Sequence, residues 1–322
     1  MREFPRPRVI VSKCIEFEPC RYNGVMIPSP VVEILKDLVE FSPVCPEVEI
    51  GLGVPRKPIR IVATEGELRL VQPESGRDVT AEMKEFAESY LGTVRDVDGF
   101  ILKFRSPSCG MKDVKIHRSI EKAAPVSKGA GFFGGAVTER FSHLAVEDEG
   151  RLKNYRIREH FLTKLFTLAR FREIKHARMM AELVRFHTES KFLLMAYSQK
   201  ELKLMGKIVA NPDKRSVEDV LEDYETHLQR ALTSAPGYTS SINVLMHAMG
   251  YFSRQLSPRE KAFFLDSLED YRARQVPLSV PVGIMKSYVV RFEEQYLMKQ
   301  RFFEPFPESL ITVTDSGKGR DL

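Results

Sequence analysis

Four cysteines in 322 residues, and no long apolar run, are the first features of this chain. Stretches such as KFLLMAYS are far too short to cross a bilayer, which excludes a membrane-spanning protein. The opening MREFPRPRVIVSKC has no central apolar stretch of the kind a secretory signal needs, so a cytoplasmic protein with no membrane partner is expected. In that reducing compartment the cysteines are not expected to pair as disulfides. Also absent are the close CxxC pairs of structural zinc sites and the tight multi-cysteine runs of ferredoxins. There is no internal repeat and no low-complexity block. A hydrophobic content of 43% argues against disorder and is enough for two cores.

Charge is uneven along the chain. Lys and Arg number 21 against 23 Asp and Glu over residues 1–150, and 17 against 17 over 192–322, whereas residues 151–191 carry 11 against 4. The positive excess therefore sits in one segment that should be mostly helical. Such a segment either tracks the phosphates of an RNA or is a solvated helix face, and no nucleic-acid module accompanies it.

The first 150 residues alternate in type. RVIVSK, PIRIVA, LRLVQ and GFILKF read as strands, SPVVEILKDLVEF as a helix with a Ser-Pro start, and DVTAEMKEFAESYLG as an amphipathic helix capped by Asp78 or Thr80. The pattern predicts a Rossmann-like α/β domain with a mostly parallel sheet, in which ligands bind beyond the carboxyl ends of the strands. Cys14 and Cys109 fall at such positions, after RVIVSK and GFILKF. From Arg151 the pattern turns helical, with segments near 151–186, 188–209, 216–234, 238–255, 258–273 and 279–301. The expected partition is an α/β domain over 1–150, a basic helical linker over 151–186, an all-α domain over 187–310 and a disordered tail over 311–322.

Free cysteines are often no more than small buried hydrophobes. Here their neighbours argue otherwise: Cys14 and Cys20 lie in SKCIEFEPCRYNG, Cys45 in SPVCPEVEIGLGVPR and Cys109 in RSPSCGMKD. These are turns rich in Ser, Pro and Gly, whose N–H groups can face a thiolate, with Arg21, Arg56 and Lys103 to offset negative charge. Soft thiolates select zinc, copper or iron-sulfur centres.

At CIEFEPCRYNG, CPEVEIGLGVPR and SPSCG the chain resembles the thiouracil desulfidase family, over about residues 6–150. Further on, HTESKFLLMAYS, NVLMHAMGYF and YLMKQRFFEPFPESL resemble the YbgA-like helical domain of unknown function that is often fused behind it. The first resemblance implies an enzyme carrying a 4Fe-4S cluster on three cysteines, here Cys14, Cys45 and Cys109. One iron would then lack a protein ligand and could bind the sulfur of a small thiolated nucleobase or nucleoside, converting C=S to C=O by hydrolysis without net redox change.

Water attack needs a base, and Glu47 is the nearest carboxylate; the alternatives for it are capping the GLG turn or pairing with Arg56. Glu49 is a weaker candidate on the same loop. Ser108 is a candidate catalytic donor and Ser106 a candidate substrate contact, although serines in SPS turns commonly bond their own backbone. Arg21 and Tyr22 could hold a planar pyrimidine, or form a turn with Asn23, which stands where the family commonly has Asp. Cys20 exceeds the three-ligand set: it could take the fourth iron and close the site, but permanent ligation would remove the open coordination position, so a bystander or at most a transient sulfur acceptor is expected. SKGAGFFGGAVTERF could bind an anion at its helix N-terminus and close over a ligand, or be a close-packing turn. The histidines of the helical half should be satisfied at helix interfaces, with His187 and His247 marginally better functional candidates. The alternative to an enzyme is an RNA-binding or sulfur-trafficking adaptor acting on thiolated tRNA.

Overall fold

The computed structural model describes residues 2–64, 66–121 and 124–311. Residues 312–322, most of the expected tail, lie outside the described residues. The described chain forms two compact units, residues 2–169 with 309–311, and residues 170–308.

The first unit contains eight strands: β1 (Arg8–Ser12), β2 (Glu40–Val44), β3 (Arg60–Thr64), β4 (Glu67–Val71), β5 (Gly99–Leu102), β6 (Val114–His117), β7 (Pro125–Gly129) and β8 (Ala145–Asp148). Its helices are α1 (Pro30–Leu35), α2 (Pro46–Glu49), α3 (Thr80–Thr93) and α4 (Phe132–Phe141). One sheet runs β2-β1-β5-β8 with every pair parallel, as the alternating sequence predicts. Its two central strands, RVIVS and GFIL, are almost continuously apolar because both faces are covered. From β1 the chain crosses to β2 on one side and, later, to β5 on the other. That reversal opens a crevice at the carboxyl ends of β1 and β5.

A second sheet, β4-β3-β6-β7, is mixed and was not expected. β2, β6, β7 and β8 escape sequence reading because they are four or five residues long, and EFSPV, PVSKG and AVED lack a clean apolar alternation. Both sheets, α3 and α4 contribute to a core that includes Ile10, Ile61, Met83, Phe100, Phe133 and Cys109.

Neither Asp78 nor Thr80 occupies the N-cap of α3, which falls at Val79. Asp78 Oδ1 instead accepts from Thr80 N at 2.9 Å, and Thr80 Oγ1 is drawn away by Leu70 N at 2.7 Å, joining the helix to β4. The N–H groups at the helix start of the glycine-rich segment are engaged within the protein and not offered to an anion. Gly131 N donates to Gly110 O, Phe132 N to Pro107 O, and Phe133 N and Gly134 N both to Ser108 O, so the first N–H groups of α4 are taken up by the loop bearing Cys109. The glycines permit this approach: a Cβ on Gly134 would lie 2.3 Å from Cys109 O, and one on Gly131 2.6 Å from Ser108 O.

The basic segment divides into α5 (Tyr155–Ala177) and α6 (Met180–Tyr197), broken at Arg178, whose φ is 50°. No break occurs near His187. The first half of the segment is not a solvated face: residues 161–169 are all buried, as is Arg158, and burial pushes Lys164 down to about 8, whereas Arg178, Arg185 and Lys191 further on are exposed. Several other cations are paired, Arg170 with Glu189, Lys175 with Glu225 and Arg178 with Glu218.

Beyond α6 follow α7 (Gln199–Ala210), α8 (Val217–Ala231), α9 (Tyr238–Gly250), α10 (Pro258–Arg272), α11 (Ser279–Arg291) and the short α12 (Gln295–Met298). Ser198, Ser216 and Ser257 cap α7, α8 and α10, with a capping box at Ser257 and Glu260. Phe192, Leu245, Phe252, Phe264, Met285 and Leu297 share the core of this unit. His187 Nδ1 meets Tyr224 OH at 3.0 Å and His227 Nδ1 meets Glu201 Oε2 at 2.6 Å, the interface roles expected for histidines here. Gln300, fully buried, accepts from Phe192 N at 3.0 Å and donates to Thr188 O at 2.8 Å, addressing both ends of one rung of α6.

Two stability tests follow from this packing. Gly134→Ala should cost about 1–3 kcal/mol in denaturant unfolding, whereas Gly92→Ala, with nothing within 4 Å of the added Cβ, should be neutral or stabilising. Gln300→Ala should cost about 1–3 kcal/mol in the same assay, since a fully buried side chain and its two hydrogen bonds to α6 are lost; an unchanged midpoint would refute the importance of that bridge.

Candidate active site

Three adjacent parallel strands, β2, β1 and β5, each deliver a cysteine loop at the carboxyl edge of the sheet. Cys45 follows β2 directly and starts the single turn of α2, Cys14 lies two residues beyond β1, and Cys109 lies in the turn after β5. Parallel pairing puts all three on one edge. They line a cavity of about 340 Å³ together with Cys20, Glu47, Arg21, Tyr22, Ser106 and Ser108. Every residue singled out in the sequence as a ligand, catalytic group or substrate contact is thus brought to this one wall, except the weaker candidate Glu49, which is exposed and outside the lining.

Arg56 organises the floor. Its side chain is only 4% exposed, and its Nε donates to Glu47 Oε2 at 2.7 Å. Nη1 donates to the carbonyls of Cys20 and Gly53 at 2.9 and 3.0 Å, and Nη2 lies 3.9 Å from Cys45 Sγ. The Arg56 pairing considered for Glu47 is therefore present. The other carboxylate oxygen accepts from Ser108 Oγ at 2.6 Å, so Glu47 is held from both sides and still borders the cavity. Ser108 Oγ also lies 3.8 Å from Cys109 Sγ.

Ser106 behaves as SPS serines commonly do. Its Oγ accepts from Ser108 N and Cys109 N at 3.3 and 3.1 Å and meets Ser108 Oγ at 2.9 Å, fixing the turn that presents Cys109. Arg21 lies over the Tyr22 ring at 5.4 Å, and Tyr22 is 42% exposed at the cavity. Sequence reasoning missed Ser12, Lys13 and Arg105. Ser12 Oγ accepts from Lys103 N at 2.9 Å, tying the ends of β1 and β5, and Arg105 adopts a φ of 56° in the wall. A polar residue ending an otherwise apolar strand was the one available signal for Ser12.

The thiols are buried, and three of them resist ionisation. Burial above all, with Cys45 and Glu47 as negative neighbours, pushes Cys109 up to about 12. Its interaction with Cys14, to which it donates, reinforced by burial, pushes Cys20 up to about 11, while its contact with Cys45 acts the other way. Contact with Cys20, then burial, moves Cys45 far above the ordinary thiol range. Among the described residues no group of three His, Cys, Asp or Glu side chains is arranged to hold a single metal ion. The cysteines are instead distributed around a space large enough for a multi-atom group. Soft donors on separate loops, with basic side chains among them, suit an iron-sulfur centre.

Residues 9–149 match the family model of 2-thiouracil desulfurase, and residues 191–307 match that of a protein family of unknown function, DUF1722. The chain is 35% identical over 109 residues to the uncharacterized protein YbbK of Bacillus subtilis (strain 168), covering 32% of this chain and 72% of that protein. It is 27% identical over 158 residues to the uncharacterized protein YbgA of Escherichia coli (strain K12), covering 48% of this chain and 93% of the other. Among solved structures, a [4Fe-4S]-dependent thiouracil desulfidase, TudS, is 32% identical, with a TM-score of 0.37, over 46% of this chain and 93% of that one. The cysteine-bearing α/β half and its extended match with YbbK establish that the chain belongs to the 2-thiouracil desulfurase family, with a DUF1722 region following the desulfurase domain.

Proposed function

We propose that the α/β unit is an iron-sulfur-dependent desulfidase that removes sulfur from a thiolated pyrimidine or related small thiocarbonyl compound. The observation that carries this reading is the convergence of Cys14, Cys45 and Cys109 from three neighbouring parallel strands on a cavity that also holds the Glu47–Ser108 pair. Membership of the 2-thiouracil desulfurase family supports the reaction class. Overall, C=S and water give C=O and hydrogen sulfide, so neither an oxidant nor a reductant is needed.

The donor set fits a 4Fe-4S cluster held by Cys14, Cys45 and Cys109. When bound, such a cluster supplies a thiophilic, Lewis-acidic iron without a protein thiolate. The remaining work falls to the side chains. Glu47 is our candidate to take the proton of the attacking water at Oε1, because Arg56 holds Oε2. Ser108 Oγ, between Glu47 and Cys109, orients that carboxylate and can pass its proton onward. Arg21 and Tyr22 offer a flat cationic and aromatic surface for a pyrimidine ring at the cavity rim. Ser106 acts by holding the Cys109 turn rigid, and its assignment as a direct substrate contact has less support than the others.

An adaptor that grips thiolated tRNA through residues 151–191 has no specific observation in its favour, since much of that segment is buried or paired.

Anaerobically reconstituted protein should be brown, contain iron and acid-labile sulfide, and release sulfide from 2-thiouracil. Cys14→Ala, Cys45→Ala and Cys109→Ala should each lose the bulk of the iron; colourless wild-type protein that binds only zinc would refute the reading. Glu47→Gln should keep its iron and lower kcat by about 10²–10⁴, with Ser108→Ala affected in the same direction. Full turnover by Glu47→Gln would remove it from the proton-transfer role.

A further inference from the structure

One of the four cavity cysteines, Cys20, has no task in the chemistry above. Its placement is unlike that of its neighbours in sequence. Between Ile15 and Ser29 it is the one buried residue, 3% exposed, while Glu18, Pro19, Tyr22 and Asn23 around it face outward. Burial by itself is ordinary for a free cysteine; what distinguishes Cys20 is that the loop turns it onto the cavity wall shared with the other three cysteines.

What Cys20 does meet is sulfur. Its thiol lines the same cavity as Cys14, Cys45 and Cys109, the three cysteines assigned above to the cluster, and interacts with two of them, Cys14 and Cys45. The loop is fastened in that position by the residue that organises the rest of the floor. Arg56 N donates to Tyr22 O at 2.8 Å, and its guanidinium donates to Cys20 O at 2.9 Å while lying 3.9 Å from Cys45 Sγ. One buried arginine thus sets the position of Cys20 relative to Cys45. The tip beyond it, with Val25 and Met26 exposed, is closed by its own turn, Gly24 N donating to Arg21 O and Arg21 N to Val25 O. The fold therefore holds the thiol on the cavity wall, on a loop whose outer side is exposed.

We propose that Cys20 is a fourth thiolate ligand of the same centre, closing it while no substrate is present. The proposal rests on the reading of the cavity as an iron-sulfur site. Opening the centre is then an exchange of one sulfur donor for another: the bond from iron to Cys20 breaks as one to the thiocarbonyl sulfur forms, the released thiolate takes up a proton from solvent, and no electron is gained or lost. Such a ligand protects the reactive iron from loss between turnovers, because an iron held by three sulfides and a thiolate leaves the cluster less readily than one held by the three sulfides alone.

The test reads the cluster and not the reaction. Full-length wild-type protein and Cys20→Ala are reconstituted anaerobically, assayed for iron and sulfide, then oxidised with ferricyanide and examined by low-temperature electron paramagnetic resonance. Circular dichroism of each preparation, and a parallel Cys20→Ser variant, establish that any difference is not a loss of fold. The wild type should hold about four irons per chain before and after oxidation and give little signal. Cys20→Ala should start with the same iron and lose about one in four, developing the signal of a three-iron cluster. Equal iron loss and equal signals from wild type and variants would overturn the Cys20 assignment and leave the cluster reading intact. Wild-type protein that takes up no iron and sulfide would overturn both.

Discussion

Parallel pairing of three neighbouring strands is the constraint on which the site depends. β2, β1 and β5 run in one direction, so the residues that follow them emerge at one edge, within the few ångströms that separate adjacent strands. Reversing any one would carry its cysteine to the opposite edge of the sheet. Parallel strands in turn require crossover connections, and these account for the separation of Cys14, Cys45 and Cys109 in sequence. A centre assembled in this way cannot carry the compact cysteine motifs of zinc knuckles or ferredoxins. Dispersed cysteines are the consequence of building the site on a sheet edge.

Two further elements turn convergent loops into a defined site. The first is α4, whose opening N–H groups all donate to carbonyls of the Pro107–Gly110 turn, so that the helix start serves as the backing of Cys109. The second is Arg56, which reaches Glu47, Cys20 and Cys45 with one guanidinium. Arginine suits this position better than lysine because its planar fork serves several acceptors at once without changing its charge. With Ser108 bonded to Glu47 across the cavity, the loops after β2 and β5 are joined through side chains as well as through the sheet.

Much of this was legible in the residues, unevenly so. The apolar strands β1 and β5 and the helix α3 declare themselves by periodicity, and the turns rich in Pro, Gly and Ser marked the cysteines as loop residues at strand ends. The second sheet declared itself only in part: β3 and β4 read as strands, whereas β6 is four residues long and β7 is largely exposed without apolar alternation, so their pairing into a separate sheet was not legible. The glycine-rich start of α4 misled in a specific way: glycines before a helix suit both anion binding and close backbone packing, and only the contact with Ser108 O and Gly110 O distinguishes the two. The basic segment misled for a related reason. Composition records that cations are present, while burial of Arg158 and Lys164 and pairing of Arg170 and Lys175 depend on tertiary structure. Glu47 was identified by proximity in sequence to Cys45, but its two partners come from nine residues further on and from sixty-one residues away.

The charge inventory of the cavity completes the physical case. Lys13, Arg21, Arg56, Lys103 and Arg105 border it against one carboxylate, Glu47. Two of these cations are compensated outside the cavity, Lys13 by Glu18 and Lys103 by the buried Glu149, which also accepts from Phe104 N. Arg56 is balanced by Glu47, leaving Arg21 and Arg105 on their aromatic neighbours Tyr22 and Phe104. With neutral, buried thiols the wall is therefore positive. Thiolates in such a place lose hydration but gain nearby cations, and a bound centre must displace the thiol protons, so its binding free energy includes the cost of ionising groups that burial keeps neutral. The anionic sulfur-rich group proposed here would make these opposing requirements agree: it would take the place of the protons on the cysteines and meet the excess positive charge that surrounds them.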